Sequence, residues 1–470
     1  MKNSLLFIIV VLTSFGFAQE VDSTLVVIDS TVVDSVELTF EKNNLQNTSA
    51  LVAFYERLYH LEQTKSGTLH VVHIGDSHIQ ADLFTAQIRT KMQTAFGNAG
   101  FGFTFPYSVA KTNNSAPIRF SATGNFQSVR NLYADVLKPV GLSGIALEAT
   151  SPEFSIQLEV KDSRYHFTQL KVVTPQNANS FAVSLAQKNT TIITKVPKRV
   201  THKIKPGEVL GGIADKYNIS LNALKKANGL KSDRIRDGKI LIIPSAKTQP
   251  KHIIKTTFVP IELSETLLTR KYVSEQPLDK ITLIPNPNSN NFALNGLILS
   301  NDAPGITYSG IGVNGAKCSD YNKFPLFFEQ LPVLQADLII ISLGTNESFD
   351  KQSADQYFSQ LYQMITAIKA KAPLATLLVT TPPPSVLHRK FTNTFIVDYA
   401  QKIKENAHAN GYAVWDLFEV FGGNNKIFKN AAKGLMARDK VHYSKIGYEK
   451  QADLFFEAFL QSYETFKSTK

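Results

Sequence analysis

The chain has a single cysteine, Cys318, in 470 residues. That excludes a disulfide within the chain, and no cysteine lies near the N-terminus to carry a lipid. With no partner cysteine, Cys318 reads as a packing residue rather than a nucleophile. Long apolar runs are also missing. The run from Leu5 to Leu12 is too short to span a bilayer comfortably, and nothing later is longer. No cluster of His, Asp, Glu and Cys has metal-ligand spacing, so no metal is expected. The Gly97–Gly102 stretch lacks the lysine pattern of a phosphate loop, and no cofactor is expected. Its neighbours Phe101, Phe103 and Phe105 read as packing or cleft wall. His70 and His73 read as core histidines on a strand.

What is present starts with an address. Lys2, the apolar core Leu5–Leu12 and the small-residue site Gly16-Phe17-Ala18 before Gln19 read as a signal peptide over residues 1–18. The mature protein is therefore expected to be exported, periplasmic or extracellular, with no integral membrane span. At this length two or three domains are expected, and 43% hydrophobic residues suffice for sizeable cores. The net charge of +11 is uneven: residues 195–255 carry 15 Lys and Arg against 4 Asp and Glu, so the rest is near neutral. On an exported chain this basic segment reads as a solvated face suited to an anionic cell wall, not as a nucleic-acid surface.

Four regions differ in texture. Residues 19–47 alternate Val with Asp, Ser and Thr and read as a linker. In residues 48–108, Leu51, Phe54, Leu58 and Leu61 have helical spacing, LHVVHIG (69–75) reads as a buried strand, and 81–96 as a helix. From 109 to 306 alternating segments dominate: 154–160, 167–174, 181–187, 190–196, 252–263, 280–286 and 292–300. They predict an all-β, sandwich-like insert. Strand–helix alternation resumes over 307–466, with strands at 336–344, 375–384 and 412–417 and helices at 353–371, 393–409 and 444–466. Such alternation predicts a doubly wound parallel sheet.

Four short motifs fall at the ends of these strands or ahead of helices: Gly75-Asp76-Ser77-His78, Gly312-Val313-Asn314-Gly315, Gly344-Thr345-Asn346-Glu347 and Asp439-Lys440-Val441-His442. Acyl transfer needs a nucleophile, a base, a group that fixes the base, and donors where negative charge develops. Ser77 is the candidate nucleophile, His442 the base and Asp439 the carboxylate that fixes it. The amides of Ser77 and Gly315 and the side chain of Asn346 are candidate oxyanion donors, with Gly312 a rival to Gly315. His78 is expected to point away from the nucleophile or to line the substrate cleft.

These four blocks resemble those of the SGNH (GDSL-type) hydrolases, over roughly residues 66–108 and 307–466. The resemblance implies a flavodoxin-like three-layer α/β sandwich and the triad Ser77, His442 and Asp439. Gly-Asp-Ser-His stands in place of Gly-Asp-Ser-Leu, and Glu347 in place of the frequent Asp. Both variants, with a β domain after the first block, are similar to the branch that includes bacterial peptidoglycan O-acetylesterases. The basic stretch 201–244 has a βααβ pattern that resembles a LysM module, which implies binding of N-acetylglucosamine-containing glycan such as peptidoglycan. Gly207-Glu208-Val209-Leu210 and Asn228-Gly229-Leu230 carry that match. The expectation is therefore an exported serine esterase that deacetylates wall glycan. Alternatives are an O-acetyltransferase, an acetylesterase for another polysaccharide, or a non-catalytic wall-binding scaffold.

Overall fold

The structure is a computed structural model and describes residues 43–470 apart from 114, 199, 246 and 247. The expected signal peptide and most of the expected linker lie outside the described residues. No described helix is long and apolar enough to cross a membrane.

Five parallel strands form the central sheet: Thr68–Gly75, Gly305–Gly312, Leu338–Ser342, Thr376–Thr380 and Ala413–Trp415. Numbered in chain order they lie side by side as 2-1-3-4-5. That is the flavodoxin-like order, and the expected fold class holds. The strands are largely apolar because both faces are covered. Leu338 and Ile340 pack into one core with Trp415, Phe54, Phe84 and Phe455, while Ile339 and Ile341 pack into the other with Tyr357, Leu361 and Ile365. Helices Val52–Thr64, Leu83–Phe96 and Lys445–Lys467 supply the first core, and Ala354–Lys371 and Phe395–Glu405 the second. Each fully buried Leu or Ile contributes roughly 1.5–3 kcal/mol. Helix Ala354–Lys371 starts at Ser353, whose hydroxyl accepts from Gln356 N–H while the Gln356 side chain returns to Ser353 N–H, a capping box.

The linker reading fails at its end. Leu45–Gln46 adds a sixth strand, antiparallel to Val414–Trp415. Leu45 is buried, and Asn43 accepts from the indole N–H of Trp415 at 3.1 Å. Two residues are too few to show period-2 alternation, so sequence carries no sign of this strand.

The inserted region is antiparallel. One five-stranded sheet runs Thr248–Ile261, Phe181–Pro197, Lys280–Pro285, Ser155–Val160, Ile118–Thr123. A second runs Ser264–Glu265, Arg270–Leu278, Phe167–Val173, Gly296–Ser300, Gly102–Thr104. Phe120, Leu158, Leu170, Val183, Leu283 and Leu297 share one core between them. The strands expected at 181–187 and 190–196 are a single strand, Phe181–Pro197. It pairs with Thr248–Ile261 along its length but with Lys280–Pro285 only at Phe181–Ser184. A third sheet joins Phe126–Arg130, Ile145–Ala149 and Ala293–Leu294.

Between the two long strands sits the βααβ unit. Val200–Lys203 pairs with Ile240–Ile243, and helices Leu210–Lys216 and Leu221–Asn228 lie between them in sequence. Ile204, Leu210, Ile213, Leu224, Leu241 and Ile243 form its own core. Gly229 ends the second helix in the left-handed conformation (φ 62°), as a C-terminal glycine should. The Asn228 side chain donates to Ile242 O and accepts from Ile242 N–H, both at 2.7 Å.

Candidate active site

In a 2-1-3-4-5 sheet the chain order reverses beside strand 1, which opens a crevice at the carboxyl ends of strands 1 and 3. Gly75, Gly312 and Ser342 end strands 1, 2 and 3 side by side there. Asp76 then caps the short helix Ser77–Gln80, its Oδ1 accepting His78 N–H at 2.9 Å. Ser77 stands at the start of that helix, above the sheet edge.

Ser77 Oγ lies 2.8 Å from His442 Nε2. On the far side of the ring, Asp439 Oδ2 lies 2.7 Å from Nδ1. Asp439 is itself fixed, because its Oδ1 accepts the amides of Val441 at 2.9 Å and His442 at 3.0 Å. That three-residue turn explains the spacing of the fourth motif: one carboxylate holds the backbone of His442 and its ring together. The hydrogen bond to His442 and the two amides hold the Asp439 carboxyl well below its usual range. The same bond raises His442 above the ordinary histidine value, against partial burial, which pulls the other way.

The second motif is a turn. Ala316 N–H donates to Val313 O at 3.0 Å, with Gly315 at its third position and φ of 85°. This is the place in a type II turn that demands glycine. A Cβ there would meet only Leu132, at 3.4 Å, so backbone conformation and not crowding selects it. Gly312 is glycine for the opposite reason. A Cβ on it would lie 2.2 Å from Gln80 N and 2.6 Å from Asp76 O, beneath the helix that begins at Ser77. Among the described residues, the amides of Ser77 and Gly315 donate to no other protein group.

Asn346 departs from expectation. Its Nδ2 donates to Ala316 O at 2.9 Å and to Asp76 Oδ2 at 3.3 Å. Both amide hydrogens are engaged, so it can serve an oxyanion only by giving up the longer contact, to Asp76. Asp76 is a residue that sequence reasoning missed. It is buried, and loss of water pushes its carboxyl up to about 7. Glu347 is fully buried too, accepts Cys318 N–H at 2.8 Å, and is pushed up to about 7 by the same cause. Cys318 is fully buried beside it, a packing residue as expected.

His78 borders a small pocket with Ile79, Phe84 and Leu417. It is buried, its Nδ1 bonds Tyr448 Oη at 2.8 Å, and its ring centre lies 5.2 Å from that of His442. His73 is a core histidine between Tyr308 Oη (2.8 Å) and Ser342 Oγ (2.6 Å). The partly buried His70 bonds Thr307 Oγ1 at 2.7 Å. Phe101, Phe103 and Phe105 are buried packing.

The insert reaches this site. Gln80 Oε1 accepts Asn314 N–H at 2.6 Å, and Thr112 Oγ1 accepts from Asn314 Nδ2 at 3.2 Å. Arg130 Nη1 donates to Asn314 O at 2.8 Å. Thr112 and Arg130 are separated from Asn314 by more than 180 residues of sequence, which is why no motif reveals them.

A GDSL-like lipase/acylhydrolase family model matches residues 290–450, and a LysM domain model matches 202–244. The chain carries a GDSL-like hydrolase domain with a LysM domain nested in its insert. The hydrolase match begins after the insert, so it contains Gly315, Asn346, Asp439 and His442 but not Ser77. A solved structure of a peptidoglycan O-acetylesterase shares 20% identity over 89% of this chain and 98% of its own, with a TM-score of 0.57. A lipase/acylhydrolase from Enterococcus faecalis shares 19% identity over 33% of this chain and 75% of its own, with a TM-score of 0.26. The LysM segment is 51% identical, over 41 residues, to the probable peptidoglycan endopeptidase LytE of Bacillus subtilis. That match spans 9% of this chain and 12% of that protein.

Proposed function

We propose that this protein is an exported serine esterase that removes O-acetyl groups from wall peptidoglycan, held to its substrate by the LysM domain. The observation that carries the reading is the line from Ser77 Oγ through His442 to Asp439, with contacts of 2.8 and 2.7 Å, at the sheet's switch point. The structural likeness to a peptidoglycan O-acetylesterase over nearly the whole of that chain supports the substrate class.

Ser77 Oγ attacks the acetyl carbonyl as His442 Nε2 takes its proton. The carbonyl oxygen becomes an oxyanion facing the free amides of Ser77 and Gly315, with Asn346 joining as it releases Asp76. Each such donor is worth on the order of 10²–10³ in turnover. The C–O bond to the sugar then breaks, and His442 returns the proton to the departing sugar hydroxyl. Water, deprotonated by His442, attacks the acetyl-enzyme; the bond from the acetyl carbon to Ser77 Oγ breaks, His442 returns the proton to Ser77 Oγ, and acetate leaves. The LysM domain contributes effective concentration rather than chemistry.

The test is acetate release from O-acetylated peptidoglycan by the mature protein and by Ser77→Ala. Release that disappears in the variant supports the reading; release that persists refutes it. Deleting residues 202–244 is expected to depress release from intact sacculi far more than hydrolysis of a small chromogenic acetyl ester. Equal depression on both would show that the LysM domain supports the fold instead of the substrate.

A further inference from the structure

The Arg130–Val140 segment belongs to the insert, yet its base is built onto the turn that presents Gly315. Arg130 donates to Asn314 O at 2.8 Å, and Leu132 is the side chain nearest Gly315. The segment is shaped by its own backbone bonds: Tyr133 and Ala134 N–H both donate to Arg130 O at 2.9 Å, and Lys138 N–H to Asp135 O at 3.0 Å. Asn131 and Ala134 are buried beneath it. Tyr133, by contrast, is 69% exposed. Its ring is not loose, because the Arg130 guanidinium lies over it, 5.1 Å from the centroid. One guanidinium thus holds both the loop of a candidate oxyanion donor and an aromatic ring turned to solvent.

An exposed aromatic ring under a guanidinium that itself grips the Gly315 turn fits a flat apolar surface that carries hydroxyls at its edge. From this we infer that Tyr133 is a stacking platform for a pyranose ring of the glycan strand, so that the insert sets specificity for polymeric substrate. The inference rests on the esterase reading above and deepens it. Occupying the platform seats a sugar beside the Gly315 turn, where the acetylated hydroxyl must lie. A small acetyl ester has no sugar ring to place there. Hot-spot tyrosines at well-packed contacts are typically worth upwards of 1 kcal/mol, close to tenfold in affinity.

The experiment compares kcat/KM on O-acetylated peptidoglycan with kcat/KM on a small chromogenic acetyl ester, using the full mature chain as wild type, Tyr133→Ala and Tyr133→Phe. The ratio of polymer to small ester is expected to fall about tenfold in Tyr133→Ala, mainly through KM, and to be held in Tyr133→Phe, which keeps the ring. In a Tyr133→Ala that keeps wild-type hydrolysis of the small ester, an unchanged ratio overturns the inference, and so does an equal fall in both variants, since the hydroxyl and not the ring face would then matter. Failure of the wild type to release acetate from peptidoglycan would overturn the esterase reading itself, and this inference with it. A misfolded variant would lose both activities together and leave the ratio intact, so folding damage cannot imitate the expected result.

Discussion

Replacing Asp439 by Asn tests the chemistry at its least forgiving point. In the native turn, Oδ1 takes two backbone amides and Oδ2 takes the Nδ1 hydrogen of His442. An asparagine would keep its carbonyl oxygen on the two amides and turn its NH₂ toward Nδ1. Nδ1 must then accept, the ring proton moves to Nε2, and Nε2 can no longer receive the Ser77 hydroxyl hydrogen across 2.8 Å. In triads of this kind the wrong tautomer lowers turnover about 10⁴-fold, or about 5.5 kcal/mol of barrier at 1.36 kcal/mol per decade. A second readout is independent of that size. His442 must be neutral to act, and Asp439 is the first cause of its raised pKa. In the wild type the acid limb of kcat/KM therefore lies above pH 6.5, the ordinary histidine value. Without the carboxylate, burial is opposed only by the lesser pull of Asp76, and the limb of the residual activity moves to lower pH. Initial rates on a small acetyl ester from pH 5 to 9 measure both. A variant that keeps a tenth of wild-type turnover, or whose acid limb rises, would refute the assignment of Asp439.

Three further outcomes follow from particular contacts. Gly312→Ala drives a methyl group into Gln80 N and Asp76 O and is expected to abolish activity, whereas Gly315→Ala, with room for the methyl group, costs roughly 1–2 kcal/mol of backbone strain and leaves measurable turnover; steady-state rates on a small ester decide. Asp82→Ala removes the partner of the almost fully buried Arg89, with which it makes two contacts of 2.8 and 3.2 Å, and is expected to cost about 3–5 kcal/mol in urea denaturation. Glu347, pushed up from 4.5 to about 7, keeps a proton in the folded state that the unfolded chain has lost between those values. Its contribution to stability is therefore present below pH 4.5 and lost as pH rises through 7. Thermal melts of Glu347→Gln are expected to exceed wild type at pH 8, with the gap closing toward pH 5.

The central sheet was legible because its strands are buried on both faces and end at short blocks rich in Gly, Ser, Asn and His. Ser77, His442 and Asp439 meet as their spacing suggested, since the last two lie within one turn and the first at a strand end. Asp76 escaped notice because its importance comes from burial, which a single adjacent residue type does not announce. Asn346 was placed correctly on the chain, but its engagement with Ala316 and Asp76 is a matter of side-chain direction. The grip of Thr112 and Arg130 on Asn314 was invisible because antiparallel pairings across the insert decide which distant segments return to the sheet. The joining of 181–187 and 190–196 into one strand was missed for a local reason: the polar Lys188-Asn189 separates two alternating runs, while pairing with Thr248–Ile261 carries the strand through.

The split of the hydrolase sheet has a consequence for how the protein is made. Strands Thr68–Gly75 and Gly305–Gly312 pair residue for residue, yet more than two hundred residues, most of them the insert, lie between them in sequence. At a synthesis rate of about 5–20 residues per second, the strand that leads to Ser77 waits some tens of seconds for its neighbour. Closing so long a loop is entropically affordable only if the insert has already collapsed and brought its ends together. The insert, with its own core, is thus placed to fold first and act as the staple that lets the catalytic sheet zip. Slowing the insert, even by a substitution remote from Ser77, would prolong the life of an unpaired, apolar strand edge and expose the nascent chain to aggregation.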